Sequence, residues 1–249
     1  MIPALVRAVG EAKRVVHALL RRFGYDLVRY RPPSLPLVRL LAEHRIGLTL
    51  DVGANDGTYA RALRAGGYAG RIASFEPLSE AFGRLEALAA ADPGWECRRL
   101  ALGSTFGSAD LNVAGNSSSS SLLPMTARHV ESAPESAFVA TERVEVVPLD
   151  SLRGSLWRPG ERIFLKIDVQ GYELPVLEGA RETLEDVQVL QAELSLVPLY
   201  EGQALLPQLA QLVADAGFAL VSLNSVFTDP RSCKLLQVDG LFARPAVGG

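Results

Sequence analysis

The sequence predicts an α/β protein built on a doubly wound, mostly parallel β-sheet. From about residue 46, short apolar runs alternate with helical segments, which is the pattern of strand–helix–strand units with right-handed crossovers. Residues 163–167 are almost continuously hydrophobic, as in parallel strands that helices cover on both faces. No helical segment separates the last two strands, so we expect them to form an antiparallel hairpin at one edge of the sheet.

Each element follows from the period of its apolar residues and from the residues that flank it. Strands are predicted over 46–52, 71–75, 96–100, 109–113, 143–147, 163–167, 187–194, 218–223 and 235–243. Helices are predicted over 59–65, 79–91, 172 to about 184, and 205–216. Pro175 falls in the first turn of the third helix, where its missing N–H costs little.

The composition is that of a globular protein that binds no nucleic acid. The 249 residues are 48% hydrophobic and 21% charged, with a net charge of −3, whereas a general nucleic-acid binder needs a basic excess. The two cysteines form no zinc or disulfide framework. The sequence has no run of 18 apolar residues and no signal-peptide core. We therefore expect a soluble, cytoplasmic protein.

Basic residues are concentrated in residues 1–31, which carry seven lysines and arginines against two acidic residues. This segment has a net charge of +5, and the rest of the chain therefore carries −8. Apolar residues at helical spacing over 5–20 predict an amphipathic helix, within a basic N-terminal helical segment over 1–40. Two interpretations stay open. The helix packs on the body or on a second subunit of a homodimer, or it makes a peripheral contact with an anionic membrane surface.

A glycine-rich turn follows the first strand, where a doubly wound sheet binds a nucleotide-like ligand. Gly53 and Gly57 allow a close approach of the backbone, and Asn55 tolerates the left-handed region. The spacing Asp-x-Gly-x-Asn-x-Gly differs from the Gly-x-Gly-x-x-Gly that holds a pyrophosphate. Asp51 and Asp56 would repel a pyrophosphate but suit a cationic group, so the turn favours S-adenosylmethionine over NAD.

An acidic residue, Glu76, ends the second predicted strand in the sequence Phe75-Glu76-Pro77. In nucleotide-binding folds, a carboxylate at this position accepts hydrogen bonds from the ribose hydroxyls. The glycine-rich turn and Glu76 together predict a site for an adenosyl cofactor.

Two further carboxylates end neighbouring strands in the second half of the chain. Asp168 follows the strand over 163–167, and Glu193 lies near the end of the strand over 187–194. We expect Asp168 to face the reactive end of the cofactor. Such a pair either acts as a general base or holds a hard divalent cation such as Mg²⁺.

These motifs, in this order, resemble the FkbM family of S-adenosylmethionine-dependent methyltransferases. The similarity runs from about residue 48 to 242 and is carried by residues 51–57, Phe75-Glu76-Pro77, Ala101-Leu102-Gly103, 117–122, 165–173, Val176-Leu177-x-Gly-Ala180 and Glu193. The resemblance implies a class I methyltransferase (Rossmann-like) fold over 41–249, with a seven-stranded sheet and an antiparallel last strand. It also implies O-methylation of a hydroxyl on a sugar, a glycolipid or a polyketide-type product.

The motifs and the resemblance together assign the site residues. The cofactor is assigned to Asp51, Gly53, Asn55, Asp56, Gly57, Glu76, Ala101, Leu102 and Asp168. The base that removes the hydroxyl proton is sought among Asp168, His129 and Glu193. For His129 the alternative is an exposed loop or helix residue, and for Asp168 and Glu193 it is a bound Mg²⁺ that lowers the pKa of the substrate hydroxyl. The usual Glu-Gly of the family is Gln170-Gly171 here, which argues against a mechanism that needs an acid at 170.

An insertion is predicted at about 114–140, because this stretch is too long for a plain connection. Asn116 and the serine run over 117–121 have two interpretations. They form a flexible linker, or a mobile lid whose hydroxyls bind the acceptor or the cofactor carboxylate.

The function expected from these observations is methylation of a small-molecule or glycoside acceptor. A nicotinamide-dependent oxidoreductase on a related sheet is disfavoured by the missing Gly-x-Gly-x-x-Gly. A non-catalytic cofactor-binding protein stays open. RNA methylation is disfavoured by the charge of −8 and by the lack of an Asn-Pro-Pro-Tyr motif.

Overall fold

A seven-stranded β-sheet forms the centre of the computed structural model, which describes residue 22 and residues 35–245. The chain divides into Met1–Pro33 and Ser34–Gly249, and the description below concerns the second unit. The predicted helix over 5–20 lies outside the described residues. The predicted boundary at residue 40 falls inside the first described helix, Leu35–Glu43, and the assignment of 1–40 stays a prediction.

The helices and strands of residues 35–245 have the following bounds. The helices are α1 Leu35–Glu43, α2 Thr58–Ala65, α3 Ser79–Ala89, α4 Ala127–Ser132, α5 Glu173–Glu178, α6 Thr183–Asp186 and α7 Leu206–Asp215. The strands are β1 Leu48–Val52, β2 Arg71–Phe75, β3 Trp95–Arg98, β4 Ala101–Leu102, β5 Gly107–Ala114, β6 Phe138–Val147, β7 Ile163–Ile167, β8 Val187–Ser195, β9 Ala219–Thr228 and β10 Leu235–Ala243.

The strand order of the central sheet is β3-β2-β1-β7-β8-β10-β9. Neighbouring strands from β3 to β8 are parallel, and β10 runs antiparallel to both β8 and β9. The predicted sheet of seven strands with an antiparallel last strand is therefore confirmed. The chain moves outward from β1 to β3 and then returns to β7 on the other side of β1, so a topological switch point lies between β1 and β7. Ligands of doubly wound sheets bind at such a point, beyond the carboxyl ends of the strands.

The strands beside the switch point are fixed by apolar burial. Every residue of β1 and β7 is buried, in agreement with a hydrophobic run that is covered on both faces. The main core lies on one side of the sheet around Trp157, Val176 and Leu209, and a second cluster on the other side includes Leu41, Leu63 and Trp95. This packing holds the carboxyl ends of β1, β2 and β7 in register.

The predicted strands over 109–113 and 143–147 belong to a small separate sheet, with the order β4-β6-β5. It carries its own apolar cluster, which includes Leu78, Ala101, Leu111 and Val146. Three of these residues, Leu78, Ala101 and Leu111, also line a cavity at the carboxyl edge of the central sheet. The small sheet therefore forms one wall of that cavity.

Three predicted elements are wrong in extent. The strand predicted over 143–147 begins at Phe138, because it pairs with β5 along almost its whole length. The helix predicted from 172 to about 184 is divided into α5 and α6, because Gly179 lies so close to the loop after β4 that a Cβ atom would be 2.0 Å from the carbonyl oxygen of Gly103. The strand predicted to end at 223 continues to Thr228, because pairing with β10 outweighs the polar residues in this stretch. Within residues 35–245, no helix is long and apolar enough to cross a bilayer.

Candidate active site

Two cavities open at the carboxyl edge of the central sheet. The first, which we call the glycine-loop cavity, encloses about 680 Å³ of empty space including its mouth, and its lining includes Gly53, Asn55, Glu76, Ala101, Leu102, Leu111, Ser117, Asp168 and Tyr172. The second, which we call the histidine cavity, is lined by Asn116, Ser118, Ser119, His129, Ala133, Glu135, Asp168, Gln170, Glu193, Val226, Phe227 and Gln237. Ser118, Asp168 and Gln170 line both cavities.

The glycine-rich turn passes between β2 and β7 with no space for a side chain. Gly53 has a φ of 74°, and a Cβ atom on it would lie 1.8 Å from the carbonyl oxygen of Asp168. Its N–H donates to the carbonyl of Phe75 at 3.0 Å. Asn55 adopts a φ of 47°, as its side chain type tolerates. The turn therefore brings the ends of β1, β2 and β7 together at one point.

Glu76 lies in the wall of the glycine-loop cavity, where its carboxylate is held by two backbone groups. Oε2 accepts a hydrogen bond from the N–H of Asn55 and Oε1 one from the N–H of Leu78, each at 2.9 Å. Burial raises the pKa of Glu76 to about 7, against the two hydrogen bonds, which lower it. The carboxylate keeps further acceptor capacity for a ligand, because each oxygen has two lone pairs.

Asp51 does not line either cavity, contrary to the expectation that it faces a cationic ligand. Its side chain is fully buried, and the Nζ of Lys166 lies 3.1 Å from it. The same Nζ donates to the carbonyl of Gly53 at 2.8 Å and lies 3.6 Å from Asp168. Burial lowers the pKa of Lys166, but the carboxylates of Asp51 and Asp168 outweigh this effect and the net shift is upward. The charge of Asp51 is thus compensated within the protein.

Asp56 and Gly57 also lie outside both linings and serve the start of α2. The Oδ1 of Asp56 accepts a hydrogen bond from the N–H of Thr58 at 3.0 Å, and this bond lowers the pKa of Asp56. Gly57 precedes α2 with a φ of 83°. The other six residues assigned to the cofactor, Gly53, Asn55, Glu76, Ala101, Leu102 and Asp168, are brought together in the glycine-loop cavity.

Gln170 joins the two carboxylates that the sequence places on neighbouring strand ends. Its Nε2 donates to Asp168 at 2.8 Å and to Glu193 at 2.9 Å. The hydroxyl of Tyr200 lies 2.9 Å from both the Oε1 of Gln170 and the carbonyl oxygen of Ser119, and these two acceptors share its one proton. The φ of 54° at Gln170 is unusual for a residue other than glycine, and such strain is retained where the surroundings determine the conformation. Gln170 therefore fixes both carboxylates between the cavities.

The serine run packs over the site, so the interpretation as a flexible linker is wrong. The hydroxyl of Ser117 donates to Asn55 at 3.1 Å, and that of Ser121 donates to the carbonyl of Gln170 at 2.6 Å. Ser119 is buried, and its carbonyl accepts a hydrogen bond from Tyr200 at 2.9 Å. The run thus forms a cover that contacts both the glycine-rich turn and the segment after β7.

His129 is buried in α4 and does not occupy the exposed position that the sequence left open. Its ring packs edge-on against Tyr200, with 5.1 Å between the centroids, and lies 5.5 Å from the ring of Phe227. Burial lowers the pKa of His129 to about 4, so the imidazole is neutral at pH 7. Glu193, in the same cavity, has its pKa raised by burial and then by the charge of Asp168.

A divalent metal does not fit between Asp168 and Glu193 as the residues are arranged. The Nε2 of Gln170 occupies the space between the two carboxylates with its donors. No group of three or more histidine, cysteine, aspartate or glutamate side chains within residues 35–245 could hold a metal ion. Two of the three candidate bases, His129 and Glu193, line only the histidine cavity, whereas Asp168 lines both.

Sequence reasoning missed two residues that organise this site, Lys166 and Tyr200. Lys166 is a charged residue within an otherwise apolar strand, and this departure from the pattern is a signal that a buried counter-ion lies nearby. Tyr200 follows Leu199 in a pair that also fits the resemblance to the FkbM family, but its contacts to Gln170 and Ser119 depend on the tertiary fold, and no local pattern records them.

The seven-stranded sheet with its antiparallel strand is the fold of the class I methyltransferases, and the glycine-loop cavity lies at the carboxyl edge of that sheet. Within that class, the chain belongs to the FkbM methyltransferase family, since the family model described as the methyltransferase FkbM domain matches residues 51–220. The match includes all residues that line the glycine-loop cavity, but not Val226, Phe227 and Gln237 of the histidine cavity. No curated protein matches the chain.

Several solved structures are similar in fold. A methyltransferase FkbM from Methylobacillus flagellatus KT is 14% identical with a TM-score of 0.49, over 86% of this chain and 45% of that one. This chain therefore spans less than half the length of that protein. Magnesium protoporphyrin IX methyltransferase from Synechocystis PCC 6803, solved with bound S-adenosylmethionine, is 10% identical with a TM-score of 0.47, over 94% and 97% of the chains. A methyltransferase from Mesorhizobium loti is 9% identical with a TM-score of 0.46, over 85% and 97%.

Proposed function

We propose that the protein methylates a hydroxyl group of a sugar, a glycolipid or a polyketide-type product. The observation that carries the proposal is the position of Asp168, which lines both cavities and keeps 38% of its side chain exposed. A carboxylate at the junction of two cavities can receive a proton from an acceptor in one of them while a methyl donor occupies the other.

The glycine-loop cavity fits S-adenosylmethionine by its charge and its walls. Glu76 and Asp168 are its charged residues, and no lysine or arginine is among the residues that line it. Such a lining suits a cationic ligand and not a pyrophosphate, which also disfavours a nicotinamide cofactor. Leu100, Leu102 and Leu111 would supply apolar contacts for the adenine ring of the cofactor. Glu76 would hold its ribose. When bound, S-adenosylmethionine supplies a methyl group on a positively charged sulfur.

Asp168 is the strongest of the three candidate bases. Its carboxylate is oriented by Gln170 and lies 3.6 Å from the ammonium of Lys166, so its direction towards the cavities is fixed. The neutral imidazole of His129, with a pKa of about 4, is a weak proton acceptor at pH 7. Burial raises the pKa of Glu193, so its carboxylate form is favoured only when a cation lies beside it. We assign the last two residues to acceptor binding.

A screen for methyl transfer tests the proposed function. Labelled S-adenosylmethionine is offered with sugars, glycolipids and macrolides, in the presence and absence of EDTA, and we expect transfer that EDTA does not reduce. Calorimetry with S-adenosylhomocysteine and NADH serves as the first control. Binding of NADH without binding of S-adenosylhomocysteine would contradict the proposal, and a loss of transfer in EDTA would restore the role of Mg²⁺.

The remaining expectations on partners and location are part of this proposal. A net charge of −3 supports a small-molecule or glycoside acceptor in the cytoplasm in preference to a nucleic acid. The basic segment over 1–40 supports a peripheral membrane contact or a homodimer. Vesicle flotation at low and high salt, together with light scattering, separates these two roles, because only membrane binding through surface charge weakens strongly with salt.

A further inference from the structure

The histidine cavity has negative charge that no cationic side chain of its lining compensates. Asp168, Glu193 and Glu135 line it, and neither lysine nor arginine is among its lining residues. The nearest buried ammonium, Lys166, is already paired with Asp51 at 3.1 Å and with Asp168 at 3.6 Å. Within residues 35–245, Glu193 therefore has no ionic partner.

Glu193 is held by neutral donors that leave its charge uncompensated. Its Oε2 accepts hydrogen bonds from the amides of Gln170 at 2.9 Å and Gln237 at 2.8 Å. Both of these bonds are made by Oε2, and Glu193 lines the cavity. Only 6% of the residue is exposed. A buried carboxylate without a counter-charge is costly, and a cationic ligand would supply the missing partner.

His129 is a second buried group of this cavity without a polar partner. His129 lines the cavity and is only 3% exposed. The Nδ1 atom of its ring is buried and has no hydrogen-bond partner among the described residues. It supplies no positive charge, because its pKa of about 4 leaves it neutral at pH 7. The ring of Phe227 lies beside it at 5.5 Å and offers an aromatic face to an ammonium group.

We propose that the histidine cavity selects an acceptor that carries a protonated amine, such as an amino sugar, and that Glu193 is the ionic partner of that amine. The inference rests on the proposed function, since it concerns the acceptor of the same reaction. An organic cation fits better than a metal ion, because Gln170 already fills the space between Asp168 and Glu193 with its amide donors. An anionic acceptor would meet three acidic side chains and no basic one, and is disfavoured.

Three classes of monosaccharide of similar size, which differ in charge, test the preference of the histidine cavity for a cationic acceptor. The full chain is first saturated with S-adenosylhomocysteine, whose own binding is measured by calorimetry. The methyl glycosides of glucose, galactose and mannose, their 6-amino-6-deoxy derivatives and the methyl glycosides of the corresponding uronic acids, with free carboxylates, are then titrated at pH 7, and binding is followed by ligand-observed NMR. We expect the amines to bind on the order of tenfold tighter than the neutral glycosides, and the uronates to bind most weakly.

A matched pair of variants assigns the preference to Glu193. Glu193→Gln keeps the size of the side chain and is expected to remove most of the preference for the amine, whereas Glu86→Gln, on the exposed side of α3, leaves it unchanged. Circular dichroism confirms that each variant is folded, and the wild-type comparison holds even where Glu193→Gln does not fold. Amines that bind no better than neutral glycosides, or not at all, overturn the inference, as does a preference that persists in folded Glu193→Gln. If S-adenosylhomocysteine does not bind, the proposed function itself fails.

Discussion

The two cavities of the site are lined by different kinds of groups. The glycine-loop cavity is made by backbone groups and apolar side chains that follow β1, β2 and β4, with Glu76 as its fixed polar group. The histidine cavity is made by polar side chains of α4, β8 and β10, by apolar side chains of β9 and by the loops after β5 and β7, and these segments are far apart in the sequence. Local motifs therefore define the first cavity, and the tertiary fold defines the second.

Asp168 lines both cavities, so its substitution tests whether the two cavities have separate roles. Asp168→Asn is expected to lower the turnover of methyl transfer about 10²–10⁴-fold, the usual contribution of a positioned base. The affinity for S-adenosylhomocysteine should change little. The control is Asp110→Asn in β5, which lies on the surface and leaves turnover unchanged. Equal losses in turnover and in affinity would mean that Asp168 holds the ligand and is not the base.

The close backbone contact of Gly53 predicts that adding a single methyl group there destabilises the fold. Gly53→Ala places a Cβ atom 1.8 Å from the carbonyl of Asp168 and should lower the free energy of unfolding by more than about 3 kcal/mol. Gly67→Ala is the matched control, since Gly67 also has a positive φ but no atom within 4 Å of a Cβ. There we expect a loss of about 1–2 kcal/mol. Chemical denaturation compares the two, and equal losses would refute the close contact.

Proton release on ligand binding can report on Glu76, the polar group of the glycine-loop cavity. With a pKa of about 7, the group is half ionised at pH 7, and ribose hydroxyls that donate to it favour the ionised form. Binding of S-adenosylhomocysteine at pH 7 should therefore release about half a proton, measured by calorimetry in buffers of different ionisation enthalpy. Glu76→Gln should abolish this release and weaken binding about tenfold. An unchanged release in the variant would assign the proton to another group.

The same shift has a consequence for the unliganded protein. The pKa of Glu76 is raised from 4.5 to about 7 in the folded state, so its protonated form is the one that favours folding. This contribution is complete below pH 4.5 and is lost as the pH rises through 7. The melting temperature of the wild type should fall more between pH 5 and pH 8 than that of Glu76→Gln.

The smallest effect is expected at the serine cover. Ser117→Ala removes one hydrogen bond to Asn55 and should weaken binding of S-adenosylhomocysteine about threefold, mainly through faster dissociation. Ser104→Ala, at an exposed turn outside both linings, serves as the control in stopped-flow measurements. A dissociation rate that is the same in both variants would show that the cover does not hold the ligand.

Much of the fold could be predicted because local pattern and tertiary environment agree. The strands over 71–75 and 163–167 have the predicted bounds, since burial on both faces requires a continuous apolar run. The sequence analysis predicts no separate helix at α1, although Pro36 occupies its first turn, where proline is tolerated. The division between α5 and α6 depends on the contact of Gly179 with Gly103, which no local pattern records.

The residues of the glycine-loop cavity could be predicted from the sequence better than those of the histidine cavity. Six of the nine residues assigned to the cofactor line the glycine-loop cavity, and their binding role stays a prediction. The electrostatic argument for Asp51 did not account for Lys166, which compensates its charge from the neighbouring strand. His129 and Gln237 come together with Glu193 only because β10 lies between β8 and β9.

The position of β10 inside the sheet also orders the events of synthesis. The glycine-loop cavity is made from residues up to Tyr172, which leave the ribosome before β9 and β10 exist. Since β9 joins the sheet only through β10, Val226 and Phe227 cannot take their places until residue 243 has emerged. All residues of the glycine-loop cavity are therefore synthesised before the last residues that the histidine cavity requires.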